Sequence, residues 1–106
     1  MWLSWRRRED RHLCENPRGS TSWPRSRSLD LEECMANMEA APTLGDLTVL
    51  PGTRVEIVGD GRRITLRSVA ITVRSGHLPG REPVGPDGGI AWDSIRRVMI
   101  EEVTHD

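Results

Sequence analysis

The residues that most often carry chemistry are few in this chain and widely spaced. Cys14 and Cys34 are the only cysteines, and although His12 lies near Cys14, no second pair of ligands completes a zinc site. The thiols could form a disulfide, but free thiols in a reducing cytosol are expected, because one bridge in a flexible tail would stabilise little. The other histidines, His77 and His105, lack metal-ligand spacing. We expect no metal site and no cofactor.

No arrangement of residues in the sequence resembles a catalytic site. All 15 basic residues are arginines, so a phosphate-binding loop of the Gly-x-x-x-x-Gly-Lys-Ser/Thr type is excluded. The Gly-Asp-Gly run at residues 59–61 precedes no helical pattern, so it is not a dinucleotide-binding motif. Ser94 has no histidine placed to activate it, and Asp93 is expected to cap a local turn. We therefore expect the protein not to be an enzyme.

An arginine-rich face is the arrangement that most suggests a ligand. If the strands flanking residues 60–61 pair with each other, Arg54 lies opposite Arg67, and Arg63 lies on the same face. Like charges directly opposite one another are destabilising, and a nucleic-acid phosphate would relieve that repulsion. The alternative is that Glu56, diagonal to Arg63 and Arg67, neutralises the face.

This pairing depends on a predicted hairpin. The Asp-Gly pair at residues 60–61 stands between two runs of alternating apolar and polar residues, which is the strongest short signal for a hairpin loop. It places Ile57 opposite Ile64 and Val55 opposite Leu66. Because apolar residues then face apolar residues, the pattern supports this register.

The next run, RRITLRSVAITVR at residues 62–74, is too long for one straight strand of a small domain. Its apolar residues lie first at even-numbered and then at odd-numbered positions. In a regular strand these two sets point to opposite faces, so all can point inward only if the chain bulges or bends near residues 67–68. The residues of the two parities are Ile64 and Leu66, then Val69, Ile71 and Val73. Bent strands of this kind serve both sheets of a small barrel, so the change predicts curvature.

In residues 90–100, IAWDSIRRVMI, the apolar residues recur first at every second position, then at every third, and then again at every second. Ile90 and Trp92 are predicted to point inward from a strand, and a single 3-10 turn then stacks Trp92, Ile95 and Val98 on one side. The last strand follows. Trp92 is the only aromatic residue in the second half of the chain, and we expect it to plug one end of the core.

The segment before these strands, residues 75–89, contains five glycines and three prolines and predicts a long exposed loop. Long loops in compact domains are usually functional or disordered. His77 and Arg81 in this loop are candidate contacts to a partner, or an extension of the arginine face.

A helix is predicted at residues 30–41, because apolar residues recur there at helical spacing. The stripe consists of Leu31, Cys34, Met35 and Met38. Asp30 is expected to cap the helix with Glu33 as its reciprocal partner, and Pro42 to end it. A short first strand is predicted in the sequence LTVL at residues 47–50.

Residues 1–28 combine arginine, serine and proline with isolated tryptophans and show no periodicity, which predicts disorder. Seven arginines against three acidic residues give this segment a charge of +4, whereas residues 29–106 carry −5. An arginine tail with stacking tryptophans that binds nucleic acid is one alternative. Another is sequence upstream of a true start codon at Met35 or Met38.

The order of elements in residues 44–103 resembles the SH3-like and Sm-like small β-barrels. The resemblance lies in the Asp-Gly-Arg turn at 60–62, the long bent strands, the variable loop and the 3-10 turn before the last strand. It implies a mainly β fold: a five-stranded barrel at 44–103, a short helix and linker at 29–43, the disordered tail at 1–28 and a short tail at 104–106. The resemblance transfers no binding residues.

These expectations predict a non-catalytic interaction module that binds a protein partner through a barrel edge or the 75–89 loop. The alternative is a nucleic-acid-binding barrel that uses Arg54, Arg63 and Arg67. A core built from about sixty residues is marginal, so an oligomer is also compatible. The sequence shows neither a stretch apolar enough for a membrane span nor a secretory signal, so a cytoplasmic location is expected.

Overall fold

The computed structural model describes residues 1–106, which form a five-stranded mixed sheet with helices over one face. The helices are α1 (Arg8–Glu15), α2 (Arg25–Ala40) and α3 (Leu44–Leu47). The strands are β1 (Trp2–Trp5), β2 (Thr53–Val58), β3 (Gly61–Leu66), β4 (Val69–Ser75) and β5 (Arg97–His105). The strand order is β1-β5-β4-β3-β2, with β1 parallel to β5 and the other neighbours antiparallel.

The sheet does not close, so the expected barrel is wrong. β1 and β2 lie at opposite ends of the strand order and do not pair with each other. Helix α2 covers the inner face of the sheet with the apolar stripe that its sequence predicts. The buried residues of the stripe are Leu31, Cys34, Met35 and Met38. A sheet covered by a helix buries its apolar face without curling onto itself.

Helix α2 begins at Arg25, earlier than predicted, and Asp30 does not cap it. Asp30 lies inside the helix, where it accepts hydrogen bonds from Ser68 Oγ at 2.6 Å and Arg67 Nε at 3.0 Å. Glu33 also forms an ion pair with Arg67. The two acidic residues that suggested a cap therefore tie the helix to the turn between β3 and β4.

Residues 1–28 are ordered, so the predicted disordered tail is wrong. β1 pairs in parallel with β5, which places Leu3 beside Val98. Leu3 and Trp5 pack against the core, and Cys14 of α1 is buried in it. These apolar residues meet partners that are distant in the sequence, and local periodicity carries no sign of such contacts.

The start of β1 also contacts the end of helix α2. The α-amino group of Met1 donates hydrogen bonds to the carbonyl oxygens of Met38 and Glu39, at 3.1 and 3.2 Å, and to that of Ala41. Carbonyl groups in the last turn of a helix lack intrahelical partners, and a positive charge is favourable there. The contact therefore fixes β1 to the helix.

Residues 47–50 do not form the predicted strand, because Leu47 ends helix α3 and residues 48–50 form a turn. Thr43 and Asp46 form a capping box: the Asp46 N–H donates to Thr43 Oγ1 at 3.3 Å, and the Thr43 N–H donates to Asp46 Oδ2 at 3.0 Å. Leu44 and Leu47 of α3 are buried. The spacing of three residues between these leucines fits one face of a helical turn.

The β2–β3 hairpin forms, but its loop is at residues 59–60 rather than 60–61. Gly59 has a φ of 59° and supplies the positive φ that the first central position requires. The strands are consequently shifted by two residues relative to the predicted register. The observed partners are Val55 with Ile64, and Ile57 with Arg62.

The change of parity marks a second hairpin rather than a bend. β3 ends at Leu66 and β4 starts at Val69, with Arg67 at a φ of 49° in the turn between them. Because the chain reverses there, residues of both parities point to the same side. The five apolar residues are buried as predicted. The register irregularity of this region lies instead between β4 and β5, near Thr72.

The predicted 3-10 turn is confirmed at Trp92–Ser94. Ile95 and Val98, which follow it, are fully buried. Trp92 itself is only partly buried and packs against the core, so it covers the margin of the core rather than filling its centre. The preceding loop is largely exposed, and its only strand-like contact is a bridge between Val84 and Ile90.

Candidate protein-binding edge

β2 leaves one edge of the sheet without a partner strand. Val58 and Gly61 flank the two-residue loop and form a hydrogen-bonded pair. Along an antiparallel hairpin, hydrogen-bonded pairs alternate with pairs that are not hydrogen-bonded. The main-chain groups of Thr53, Val55 and Ile57 therefore point away from β3. The Thr53 N–H donates to the Leu50 carbonyl at 3.2 Å, and the groups of Val55 and Ile57 face solvent.

On the side of the sheet that forms the core, this edge is apolar. Ile57 is 75% exposed, although its neighbours on this face are covered. Arg62, opposite Ile57, places its guanidinium over the Trp92 ring, 4.4 Å from the ring centroid. This cation–π stack closes the core behind Ile57 and leaves Ile57 uncovered. Edge strands are usually guarded by lone charges, proline or a bulge, and this position has none of them.

On the outer side, the edge carries one charge of each sign. Arg54 Nη2 lies 2.7 Å from Glu56 Oε1. The hydrogen bond from the guanidinium lowers the pKa of the Glu56 carboxyl group, and the same bond raises the pKa of Arg54. Both side chains are solvated, so the pair adds little to the stability of a single chain. The edge is therefore electrically balanced.

The predicted repulsion between Arg54 and Arg67 is absent, because the strand register differs from the prediction. Arg54 faces Thr65, and Arg63 faces Glu56. Glu56 thus lies next to Arg54 on its own strand and opposite Arg63 on β3. This part of the face is neutralised by Glu56.

Arg67 lies in the β3–β4 turn rather than in a strand, and it forms ion pairs with Asp30 and Glu33 of α2. A groove of about 630 Å³ on the outer face is lined by the three arginines, and also by Glu102 and Asp106. The structure therefore places Arg54, Arg63 and Arg67 along one groove, but with acidic side chains among them. Such mixed charge focuses little potential on a polyanion.

The loop candidates lie away from this groove. His77 is half-buried, its main-chain N–H donates to Ser75 Oγ at 3.3 Å, and its Nε2 is buried without a partner. Arg81 is exposed, and its N–H donates to the Leu78 carbonyl at 2.9 Å, which closes a local turn. Neither side chain lines the arginine groove. The loop instead exposes Leu78 and Val84, at 72% and 71%.

The two cysteines are free thiols, as predicted, but they are buried rather than in a flexible tail. Burial raises the pKa of Cys14 to about 11 and that of Cys34 to about 12. The Trp5 indole lowers the pKa of Cys14 and offsets only part of the effect of burial. Because the thiolate is the nucleophile and the metal ligand, both residues act as core side chains at neutral pH.

Histidine, cysteine and carboxylate side chains do not gather anywhere in the chain in a group that could hold a metal ion. None of the helices combines the length and the apolar character that crossing a bilayer requires. Comparison of the chain with protein-family models, with curated proteins and with solved structures gave no match.

Proposed function

We propose that this protein is a non-catalytic interaction module that binds an extended segment of a protein partner along the edge of β2. The observation that carries the proposal is the unpaired edge itself, with Ile57 75% exposed on it. A strand added there gains hydrogen bonds from the main-chain groups of Val55 and Ile57. Its alternate side chains cover Ile57, which supplies specificity.

The geometry favours the edge over the other candidate surfaces. β2 holds its outward main-chain groups in a fixed extended conformation, so a partner strand binds to a pre-organised template. The 75–89 loop exposes Leu78 and Val84 on a segment that has almost no regular structure. The arginine groove carries acidic side chains of its own, which oppose the binding of a nucleic-acid phosphate.

Short peptides selected from a random displayed library provide probes for this proposal. Ile57→Pro removes an outward N–H without breaking a hydrogen bond to β3, because Ile57 and Arg62 form a non-bonded pair. We expect the variant to bind the selected peptides at least about tenfold more weakly, through the lost hydrogen bond and the lost side-chain contact. Fluorescence anisotropy of labelled peptides measures the change.

Leu78→Lys is the matched control, since Leu78 is 72% exposed but lies in the loop. It should leave peptide binding unchanged. Loss of binding in Leu78→Lys with normal binding in Ile57→Pro would place the binding surface in the loop and contradict the proposal. Circular dichroism checks that both variants keep the fold.

A further inference from the structure

The edge of β2 matches itself in charge when two copies are placed antiparallel. We infer that its partner is a second copy of this chain, paired β2 to β2 about a two-fold axis that passes between the two Val55 residues. This inference rests on the proposed function of the edge and names its occupant. The two sheets then form one continuous sheet with both sets of helices on the same side.

The outward main-chain groups limit the possible registers. The outward main-chain groups belong to Thr53, Val55 and Ile57, so residues of this set form the hydrogen-bonded pairs across the interface. The side chains of Arg54 and Glu56 then meet on the outer face. With the axis at Val55, each Arg54 faces Glu56 of the other copy. With the axis at Arg54, two arginines face each other, and with the axis at Glu56, two glutamates do.

Among these three registers, charge favours the one with its axis at Val55. Opposite charges directly across a strand pair are favourable, and like charges are unfavourable. In the single chain, Arg54 already contacts Glu56 of its own strand at 2.7 Å. In the paired state each guanidinium lies between two carboxylates, one from each copy, so the charges alternate in sign around the axis.

The same register pairs most of the outward main-chain groups and covers the exposed Ile57 side chain. Val55 exchanges both main-chain hydrogen bonds with Val55 of the second copy, and the N–H of Ile57 donates to the Thr53 carbonyl of that copy. The N–H of Thr53 already bonds the Leu50 carbonyl at 3.2 Å, so the Ile57 carbonyl of the second copy receives no hydrogen bond from it. Ile57 comes to lie beside Thr53 and diagonal to Val55 of the second copy.

Sedimentation of the full chain over a wide concentration range tests the inference through charge reversal. Arg54→Glu puts a carboxylate at both positions of the outer face, and Glu56→Arg puts a guanidinium at both, so each variant alone should be monomeric. An equimolar mixture of the two should form a heterodimer, because each cross-strand contact then joins opposite charges. The double variant R54E/E56R should regain dimerisation to within about tenfold of the original affinity.

Two controls separate this effect from changes in fold and net charge. Both single variants lose the same exposed ion pair within the chain, and Glu56→Arg also places a second guanidinium opposite Arg63. Their circular dichroism spectra should agree, whereas thermal unfolding should come at a lower temperature for Glu56→Arg. Arg81→Glu makes the same change in net charge as Arg54→Glu but lies in the loop, and it should dimerise like the unmodified chain.

An unmodified chain that stays monomeric at the highest concentration, or single variants that dimerise as it does, would overturn the inference. A mixture that fails to form the heterodimer would overturn the register. The proposed function has its own outcome: selected peptides that bind the unmodified chain but not Ile57→Pro support the edge even if self-association is absent.

Discussion

The two edge strands of the sheet, β1 and β2, differ in length, in the direction of their pairing and in the exposure of their side chains. β1 has four residues, runs parallel to β5, packs Leu3 and Trp5 against the core and is fixed to α2 through Met1. β2 has six residues, runs antiparallel to its neighbour and exposes Ile57. A short edge with packed side chains offers a partner little, whereas a longer one with an exposed β-branched side chain is a template for pairing. The β1 edge thus packs alternate side chains against the core and exposes Trp2, at 76%, on the other face, whereas β2 exposes Ile57 on the core side.

The two ends of the sheet are also attached to α2 by different forces. The β1 end is held by buried apolar contacts in the core cluster that contains Cys14 and Cys34, in addition to the hydrogen bonds of Met1. The β3–β4 turn, toward the β2 end, is held by the polar contacts of Asp30 with Arg67 and Ser68. Burial of apolar surface contributes more to stability than partly solvated polar contacts do.

Trp5→Ala should have the largest effect, because it removes a ring that packs against the core. We expect the free energy of unfolding to fall by about 2–4 kcal/mol. Ile57→Ala at the other edge should change it by less than about 0.5 kcal/mol, since that side chain is 75% exposed. Urea unfolding followed by circular dichroism measures both values. Equal effects would show that the edges do not differ.

The reactivity of the thiols should report on the β1 end alone. At pH 8, both cysteines should react with a disulfide reagent at least about a hundredfold more slowly than in denaturant, because burial raises their pKa to about 11 and 12. Trp5→Ala should speed the labelling of Cys14, and Ile57→Ala should not. Rapid labelling of both thiols in the unmodified protein would contradict a closed core at this end.

Asp30→Ala should have a smaller effect at the other end, about 1 kcal/mol at neutral pH. The hydrogen bond from the Ser68 hydroxyl, followed by that from Arg67, lowers the pKa of Asp30. Since the folded value lies below the unfolded one, the carboxylate's contribution is complete above the ordinary pKa of 3.8 and is lost as the pH falls through the folded pKa.

The difference in unfolding free energy between the unmodified protein and Asp30→Ala should therefore shrink in acid, and urea titrations at several pH values measure it. A difference that stays constant down to strongly acidic pH would show that the ionised carboxylate is not what holds the turn. Ser68→Ala provides the matched variant, because it removes the largest cause of the pKa shift and leaves the charge pair in place.

Local patterns predicted the elements whose contacts repeat within a few residues. The stripe on α2, the inward residues of β3 and β4, and the 3-10 turn at Trp92–Ser94 all follow from which side chains share a face. The hairpin register was missed because the run Gly-Asp-Gly holds two turn pairs, and matching Ile57 with Ile64 favoured the wrong one. The predicted loop rests on Asp-Gly as a hairpin signal, and the apolar pairing that supports it does not occur, because Ile57 faces Arg62 and is 75% exposed.

The candidate site therefore lies where the predicted pairing of apolar residues does not occur. Ile57 faces Arg62 instead of an apolar partner, and it remains exposed at the end of the sheet. Departures of this kind are expected at functional positions, where a surface is kept for a partner rather than for the core. The arginine face depended on the same wrong register, so the predicted opposition of Arg54 and Arg67 disappeared with it.

By itself, the sequence determined where apolar and polar residues alternate, that a hairpin lies near residues 59–61 and which side of α2 is apolar, because these properties depend on neighbours close in the sequence. Only the tertiary structure decided that residues 1–28 are ordered and that the sheet stays open. β1 is held by β5, about 95 residues away along the chain, and the inner face is covered by α2. The periodicity of residues within a segment does not indicate contacts between residues so far apart in the sequence. It also does not indicate which strand lies at the edge of a sheet.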